Sequence, residues 1–406
     1  MTTPSNPVSV SYRPLYFLAL GTFAIGTEGF MIAALLPGIA TDLTVSLSMA
    51  GQLVTAFTLF YAISSPVLTA LTGSIDRRKL LLATMGLFAV GNLVAAAASS
   101  YWALLFARVM LAVAAGLYVP NANAVAGALV PPDRRGRALA IVSGGFSIAV
   151  ALGVPTGAFI GTHLGWRVTF VGVAVLALIA SVGLTVGIPK GAGRGLATAT
   201  LAERIAVIRQ PGTLPALFVT TLWALGCYTM YTFISPYLTG VVDLDGAQIG
   251  YVLFGWGASA FVGVLVGGLV TDKVGARTVI RYALPLTAVA LAGFSFAAMY
   301  VAPAERPAVV LVAVVVWGVA AWGFSPAQQA RLIGIAGLKN APTILSLNAS
   351  FQYFGFSLGA LLGALTLASG GAAHLGWVGG LCVFGALALF ARGERRAFLP
   401  GRLVTE

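Results

Sequence analysis

The chain has 406 residues, of which 59% are apolar and 8% are charged. Soluble globular proteins carry about 25% charged residues and about 45–50% apolar ones. The composition therefore excludes a soluble domain, an intrinsically disordered chain and a nucleic-acid-binding module, although the formal net charge is +12. The mean hydropathy of +0.97 instead indicates a chain whose solvent is a lipid bilayer.

Long apolar runs predict twelve membrane-spanning helices, because about 20 apolar residues in a helix cross about 30 Å of hydrocarbon. The first run is too long for the apolar core of a signal peptide and has no small-residue cleavage site after it, so we expect it to remain as the first span. The predicted limits, in chain order, are 14–36, 49–72, 80–99, 102–130, 139–161, 168–188, 214–238, 249–270, 279–301, 308–329, 343–368 and 377–391.

The longest connection follows the sixth span and divides the chain into three parts. We expect a six-helix bundle at 1–188, a cytoplasmic linker at 189–213 and a second six-helix bundle at 214–406. Within the linker, Thr200 and Glu203 have the spacing of a capping box, which predicts a short amphipathic helix.

An internal repeat supports the division into two halves. The tetrapeptide His-Leu-Gly-Trp occurs at 163–166 and again at 374–377, after spans 5 and 11. Each of these spans also carries three glycines at intervals of four residues, which are Gly153, Gly157 and Gly161 in one half and Gly355, Gly359 and Gly363 in the other. Two halves related by an axis along the membrane normal produce this pattern.

The distribution of Lys and Arg predicts the orientation of the chain. Nearly all basic residues outside the spans lie in the termini and in alternate loops, whereas the opposite loops contain only Arg167 and Arg306. Because basic loops remain in the cytoplasm, both termini are expected there.

Two charged residues, Glu28 and Arg108, lie deep within predicted spans. A charge at the bilayer centre costs about 2.5–3.5 kcal/mol, so such residues face the bundle interior and have a partner or a task. With a rise of about 1.5 Å per residue, Glu28 lies about 12 Å from the predicted outer end of span 1 at Leu36, and Arg108 about 9 Å from the outer end of span 4 at Trp102. A proton-coupling pair and a purely structural ion pair both fit this placement.

Three motifs accompany the arrangement of six spans, a linker and six spans. Span 1 contains Gly-Thr-Glu-Gly-Phe at 26–30, span 5 contains Gly-Val-Pro-Thr-Gly at 153–157, and the loop after span 8 contains Gly-Leu-Val-Thr-Asp-Lys-Val-Gly-Ala-Arg at 268–277. The chain resembles the major facilitator superfamily, in particular its twelve-helix drug:proton antiporter branch near the bacterial sugar-efflux and chloramphenicol-efflux types. The resemblance implies an all-α integral membrane fold of two pseudo-symmetric six-helix bundles in the bacterial cytoplasmic (inner) membrane, and a monomer.

The resemblance also implies roles for the motif residues. Arg108, followed by Gly116, matches the fourth-helix motif of proton transfer, and Glu28 is its expected partner. The span 5 motif matches the antiporter motif, which implies export, and its residues are expected to act in the conformational change: Gly153, Pro155 and Gly157. The loop after span 8 resembles the inner gating loop through Gly268, Asp272, Gly275 and Arg277.

The first-half copy of the gating loop departs from the family pattern. Alignment on Arg77 and Arg78 places Gly73 where an Asp is expected, and only a shifted Asp76 could replace it. Gating by Asp76, Arg77 and Arg78 and a simple role as topology determinants both remain open.

Spans 1, 4, 7 and 10 line a central cavity in the family that the chain resembles. Their polar and aromatic residues are therefore the candidate substrate contacts, although each could instead pack against lipid or a neighbouring helix. These candidates are Glu28, Asn121, Asn123, Trp223, Tyr228, Tyr231, Trp317 and Trp322.

The expected function is proton-coupled efflux of small amphipathic drugs or metabolites by alternating access, with a role in multidrug or antibiotic resistance. The expected partners are a small-molecule substrate, protons and the lipid bilayer, with no nucleic acid. No cofactor beyond the proton gradient, no metal and no enzyme activity are expected, because the chain lacks a phosphate-binding Gly-Lys-Ser/Thr motif and clustered ligand residues. A sugar or metabolite facilitator or symporter is the alternative, and a membrane receptor or enzyme a remote one.

Overall fold

The computed structural model describes residues 12–131, 134–192 and 199–398. In these ranges twelve helices are long and apolar enough to cross a membrane, which agrees with the predicted number and confirms the all-helical class. The spans are Arg13–Asp42, Leu47–Leu71, Arg77–Ala96, Tyr101–Ala128, Arg135–Leu164, Trp166–Gly187, Thr213–Tyr231, Gly246–Val274, Ala276–Tyr300, Arg306–Ala336, Leu338–Gly370 and Ala372–Glu394. The termini expected in the cytoplasm, 1–11 and 399–406, and the linker segment 193–198 lie outside the described residues.

Span 1 is longer than its apolar run. The helix continues through Pro37 to Asp42, so Glu28 lies about 21 Å from its outer end rather than about 12 Å. The prediction was wrong on this length because an apolar run measures the hydrocarbon thickness, whereas a helix continues beyond it wherever its backbone bonds are made. Here and below, the outer end is the end of the bundle that carries the loops after odd-numbered spans.

Span 7 is interrupted, although the sequence predicts one helix over 214–238. The helix Thr213–Tyr231 ends at Thr232, and a second helix, Ile234–Val242, begins after Phe233 and runs on to the outer end. At the interruption, the Phe233 ring packs directly over Gly51 near the start of span 2, where any side chain would collide with it.

The glycines of span 5 let it approach span 1 closely. A Cβ added to Gly153 would overlap the Thr27 side chain, and one added to Gly157 would lie 2.8 Å from the Met31 Cβ. Span 5 also has a π-helical turn at Ala149–Gly153, directly before Pro155, whose missing N–H weakens the helix there. Small residues permit this helix contact in lipid, so the predicted conformational motif lies against the helix that carries Glu28.

The glycines of span 11 occupy the equivalent place in the second half. A Cβ on Gly359 would lie 2.9 Å from the Tyr228 Cβ, and one on Gly363 would lie 2.7 Å from the Thr229 carbonyl oxygen. Each glycine triplet therefore faces the first helix of its own half, span 1 or span 7. This correspondence is what a duplicated six-helix unit produces.

The two halves are joined by hydrogen bonds in the outer half of the bundle. Ser48, at the start of span 2, donates to the Ala364 carbonyl of span 11 over 3.2 Å, and Ser357 of span 11 donates to the Thr55 carbonyl over 3.1 Å. Near the same level, the Tyr231 hydroxyl donates to the carbonyl oxygen of residue 30 over 2.9 Å. These bonds hold the outer halves of spans 1, 2, 7 and 11 together.

The linker contains the predicted short helix, Leu201–Arg209. Its capping box is formed, with the Glu203 carboxylate accepting from the backbone N–H and the hydroxyl of Thr200. The buried Arg204 donates to the Ser346 hydroxyl over 2.9 Å, at the inner end of span 11. The linker helix is therefore attached to the second half of the chain.

Candidate functional site

Glu28 and Arg108, which are 80 positions apart in sequence, form an ion pair in the first half. The guanidinium Nη1 of Arg108 contacts the Oε1 of Glu28, and both side chains are fully buried. Neither the second carboxylate oxygen nor Nη2 has a hydrogen-bond partner among the described residues. The two deep charges are thus brought together in a pair that leaves part of its hydrogen-bonding capacity unused.

Span 2 holds the Arg108 side chain in place. Its Nε donates to the Leu53 carbonyl oxygen over 3.3 Å, and its Cζ lies 4.2 Å from the centre of the Phe57 ring. Arg108 therefore links spans 1, 2 and 4, and the cation–π contact offsets part of the cost of burying its charge. Loss of the charge on Glu28 would therefore change the electrostatic attraction that holds Arg108 between spans 1, 2 and 4.

A small aromatic cavity lies on the other side of span 1. It is lined by five of the predicted substrate contacts: Trp223, Tyr228, Tyr231, Trp317 and Trp322. Five further residues complete the wall: Phe30, Cys227, Trp256, Ala321 and Phe356. About 20 Å³ of the cavity is open to the centres of water molecules, which is room for about one water. Drug-sized ligands occupy about 300–1,000 Å³, so the cavity is too small for one in this conformation.

Asn121 and Asn123, also predicted as substrate contacts, do not line this cavity. The Oδ1 of Asn121 accepts from Arg77 Nη1 over 2.8 Å, and its Nδ2 donates to the Leu117 carbonyl. Asn123 lies half-buried, one turn before the inner end of span 4, and its Oδ1 has no partner among the described residues. The structure thus places Asn121 in the contact between spans 3 and 4, where sequence reasoning could not distinguish one polar helix face from another.

The first-half loop residues contact other helices of the first half. Asp76 caps span 3 by accepting from the Lys79 backbone N–H over 3.2 Å. Arg77 is buried against Asn121, and Arg78 donates to the Thr185 carbonyl at the end of span 6 over 2.6 Å. The burial of Arg77 was not predicted, because in sequence it is one of three adjacent basic loop residues.

The loop after span 8 is tied to the end of span 12. Gly275 ends span 8 with a positive φ of 85°, a conformation that favours glycine. Arg277 follows, and its Nε lies 3.2 Å from the Glu394 Oε2. Gly268 has open space where a Cβ would be, and Asp272 is exposed in the last turn of the helix. The predicted gating loop thus needs a glycine at position 275 for its positive φ, and it is joined to span 12 by the ion pair of Arg277 with Glu394.

Sequence reasoning missed the cavity residues on helices outside the expected four. Trp256 belongs to span 8 and Phe356 to span 11, and no periodicity distinguishes an aromatic residue that faces a cavity from one that faces a neighbouring helix. Phe30 carried a usable signal, because it stands two residues after Glu28 in the span 1 motif.

A second unpredicted feature is a buried polar network at the inner side of the second half. Gln328 Nε2 donates to the Ala216 carbonyl over 2.7 Å and to the Thr220 hydroxyl over 3.0 Å. Thr220 in turn donates to the Oδ1 of Asn348 over 2.7 Å. The network joins spans 7, 10 and 11, as interhelical hydrogen bonds do in lipid.

Comparisons with known proteins identify the family. Residues 18–360 match the family described as Major Facilitator Superfamily. The chain is 36% identical over 381 residues to a chloramphenicol resistance protein of Streptomyces lividans, covering 92% of this chain and 94% of that protein. It is 34% identical over 370 residues to the uncharacterized MFS-type transporter YbcL of Bacillus subtilis, covering 91% and 92%.

The fold is also that of a solved transporter structure. A bacterial homologue of the human lysosomal transporter Spinster, in an inward-facing and occupied conformation, superposes with a TM-score of 0.75 at 17% identity, covering 94% of this chain and 96% of that one. The family is one of transporters rather than enzymes, which implies a small-molecule substrate and a lipid bilayer as partners. The chain belongs to the major facilitator superfamily and is a multi-pass membrane transporter.

Proposed function

We propose that the chain exports small amphipathic drugs or metabolites in exchange for protons, by alternating access of the two halves. The observation that carries this proposal is the fully buried Glu28–Arg108 ion pair, which shares span 1 with the cavity residue Phe30. Residues i and i+2 on a helix point in nearly opposite directions. Span 1 therefore carries a titratable group on one side and a substrate-site residue on the other.

Protonation of Glu28 would remove one charge of the pair and leave the Arg108 guanidinium buried without its anion. Because an uncompensated buried charge costs several kcal/mol, the protein gains free energy from any arrangement that hydrates the guanidinium or gives it a new partner. The contacts of Arg108 with Leu53 and Phe57 couple that rearrangement to span 2, whose outer half is bonded to the second half. Protonation of Glu28 and opening of the two halves would then be linked.

Export is supported by the motif of span 5 and by a relative. Gly153 and Gly157 pack directly on span 1, and the π-helical turn before Pro155 touches span 8 through the contact between Gly257 and the Val150 carbonyl. A Streptomyces relative is named for chloramphenicol resistance. We further propose an inner-membrane monomer with both termini in the cytoplasm, built as a bundle at 1–188, a linker at 189–213 and a bundle at 214–406, and driven by the proton gradient without a cofactor.

The test is transport into proteoliposomes that contain the purified full-length chain, with chloramphenicol, ethidium and glucose as separate probes. We expect a pH gradient to concentrate chloramphenicol or ethidium in the wild type. Glu28→Gln should lose this accumulation and retain exchange of labelled for unlabelled substrate, since exchange needs no net proton movement. Glu203→Gln is the matched control, because this carboxylate lies in the linker helix. Accumulation by Glu28→Gln, or accumulation of glucose alone, would refute the proposal.

A further inference from the structure

The aromatic cavity belongs to the second half except for one residue. All lining residues but Phe30 come from spans 7, 8, 10 and 11. The Phe30 ring stands among rings of the second half, with centroid distances of 5.6 Å to Tyr231, 5.9 Å to Trp322 and 6.4 Å to Trp256. An aromatic ring from the first half thus fills space inside an aromatic cage of the second half.

The fit of Phe30 indicates what the cage accepts. Its ring meets those of Tyr228, Tyr231 and Phe356 edge to face, at interplanar angles of 70°, 71° and 77°. Such arrangements stabilise aromatic pairs beyond the area they bury. With Phe30 in place, the remaining space holds about one water, so a ligand with a ring can enter only where Phe30 withdraws.

Two indole N–H groups of the cage have no acceptor among the residues that the structure describes. Trp223 and Trp256 are 3% and 4% exposed, and the Nε1 atom of each is buried with no hydrogen-bond partner among the described residues. A buried indole N–H usually has a partner, because leaving a buried donor unpaired is costly. Two residues of the cage wall therefore carry a hydrogen-bond donor that is unpaired among the described residues.

The charges near the cage do not favour a cation. The lining residues include no carboxylate, and the nearby Glu28 is already paired with Arg108. Once Glu28 is protonated, the net charge beside the cage is that of the arginine, which repels a cationic ligand and attracts the acceptor atoms of a neutral one.

We propose that this cage binds neutral aromatic compounds bearing hydrogen-bond acceptors, such as carbonyl or nitro oxygens. The ring of the compound takes the place of the Phe30 ring, and its oxygens accept from the indole N–H groups of Trp223 and Trp256. This assignment rests on the proposed transport function: if the chain is an exporter, these compounds are the class of substrate that its cage binds.

The test is equilibrium binding to the purified full-length chain by isothermal titration calorimetry, without a pH gradient. The probes are 4-nitrobenzamide, toluene, which has a ring without acceptors, and benzyltrimethylammonium, a cation with a ring. Trp223→Phe and Trp256→Phe should each weaken 4-nitrobenzamide binding about fivefold, the equivalent of one neutral hydrogen bond. Toluene accepts no hydrogen bond, so its affinity should fall less than that of 4-nitrobenzamide in both variants, and its binding also reports that each variant is folded.

Trp166→Phe is the matched control, because the Trp166 indole N–H is also buried and unpaired among the described residues but lies at the outer end of span 6. Phe30→Ala should bind 4-nitrobenzamide and toluene more tightly than the wild type, since no ring has to be displaced. In NMR spectra of ¹⁵N-tryptophan-labelled wild type, 4-nitrobenzamide should move two indole N–H proton resonances further downfield than toluene does, because only 4-nitrobenzamide can accept hydrogen bonds from them.

Unchanged 4-nitrobenzamide affinity in both tryptophan variants, or tighter binding of benzyltrimethylammonium than of 4-nitrobenzamide, would overturn the assignment. The second result would identify a cage for organic cations. Because binding is measured without a proton gradient, failure of proton-driven transport would leave these results unaffected. The proposed transport function and the proposed ligand class can therefore be refuted independently of each other.

Discussion

The buried ion pair of Glu28 and Arg108 predicts an asymmetric response to removal of either partner. In Glu28→Gln the guanidinium keeps its charge at any practical pH, and we expect a loss of about 3–5 kcal/mol in the free energy of unfolding. In Arg108→Leu the orphaned carboxylate can bind a proton, so its loss should be smaller at pH 5 than at pH 8. The double variant buries neither charge and should be close to the wild type in stability, or above it.

The measurement is thermal or denaturant unfolding of the four proteins in one detergent, at both pH values. The exposed ion pair at the outer end is the matched control: Arg167 Nη1 lies 2.5 Å from Asp42 Oδ2, with side chains 39% and 44% exposed. Breaking it with Asp42→Asn should cost less than about 1 kcal/mol. Additive effects of Glu28→Gln and Arg108→Leu in the double variant would show that the two side chains are not coupled, and the reasoning would be refuted.

Three further predictions concern packing, site membership and the linker. Gly359→Ala should destabilise the protein by about 1–3 kcal/mol in thermal unfolding, because its Cβ would meet span 7, whereas Gly268→Ala, with open space, should not destabilise it. Asn121→Ala should lower the maximal transport rate without raising the substrate KM, because Asn121 contacts Arg77 between spans 3 and 4. A raised KM would instead show that Asn121 contacts the substrate. Hydrogen bonds from the capping threonine hold the pKa of the Glu203 carboxyl below its usual value of 4.5. Its stabilisation of the linker helix is therefore present above pH 4.5 and lost as the pH falls through the lower value. Unfolding of the full-length chain should show a stability difference between the wild type and Glu203→Ala that is constant from pH 8 to 5 and disappears below.

Much of the fold was predictable from residues considered one at a time. Burial in lipid depends on the local run of apolar side chains, so the number of spans and most of their limits followed from hydropathy. The same local cost singled out Glu28 and Arg108, since a charge in hydrocarbon is expensive whatever its neighbours are. The extension of span 1 to Asp42 did not follow, because it lies beyond the apolar run. The break before Ile234 did not follow either, because hydropathy does not distinguish a continuous helix from an interrupted one within an apolar run.

The site was predictable only in part. Five of the predicted substrate contacts line one cavity, whereas Asn121 contacts Arg77 and Trp256 enters from a helix outside the expected four. These assignments depend on how each helix is rotated and which neighbour it meets. The closeness of Gly153 to Thr27 illustrates such a contact, which is set by the fit of two surfaces.

The sequence by itself determined that the chain spans a bilayer twelve times, that two charges lie within it and that tryptophans and tyrosines of spans 7 and 10 are candidate substrate contacts. Only the tertiary structure decided that these charges meet each other, that Phe30 enters the cage of the opposite half and that two indole donors there lack acceptors within the described part of the chain. The reason is physical. Transfer from water to lipid is a property of each residue and its immediate neighbours, whereas pairing, packing and unsatisfied hydrogen bonds are properties of surfaces that come together only in the folded protein.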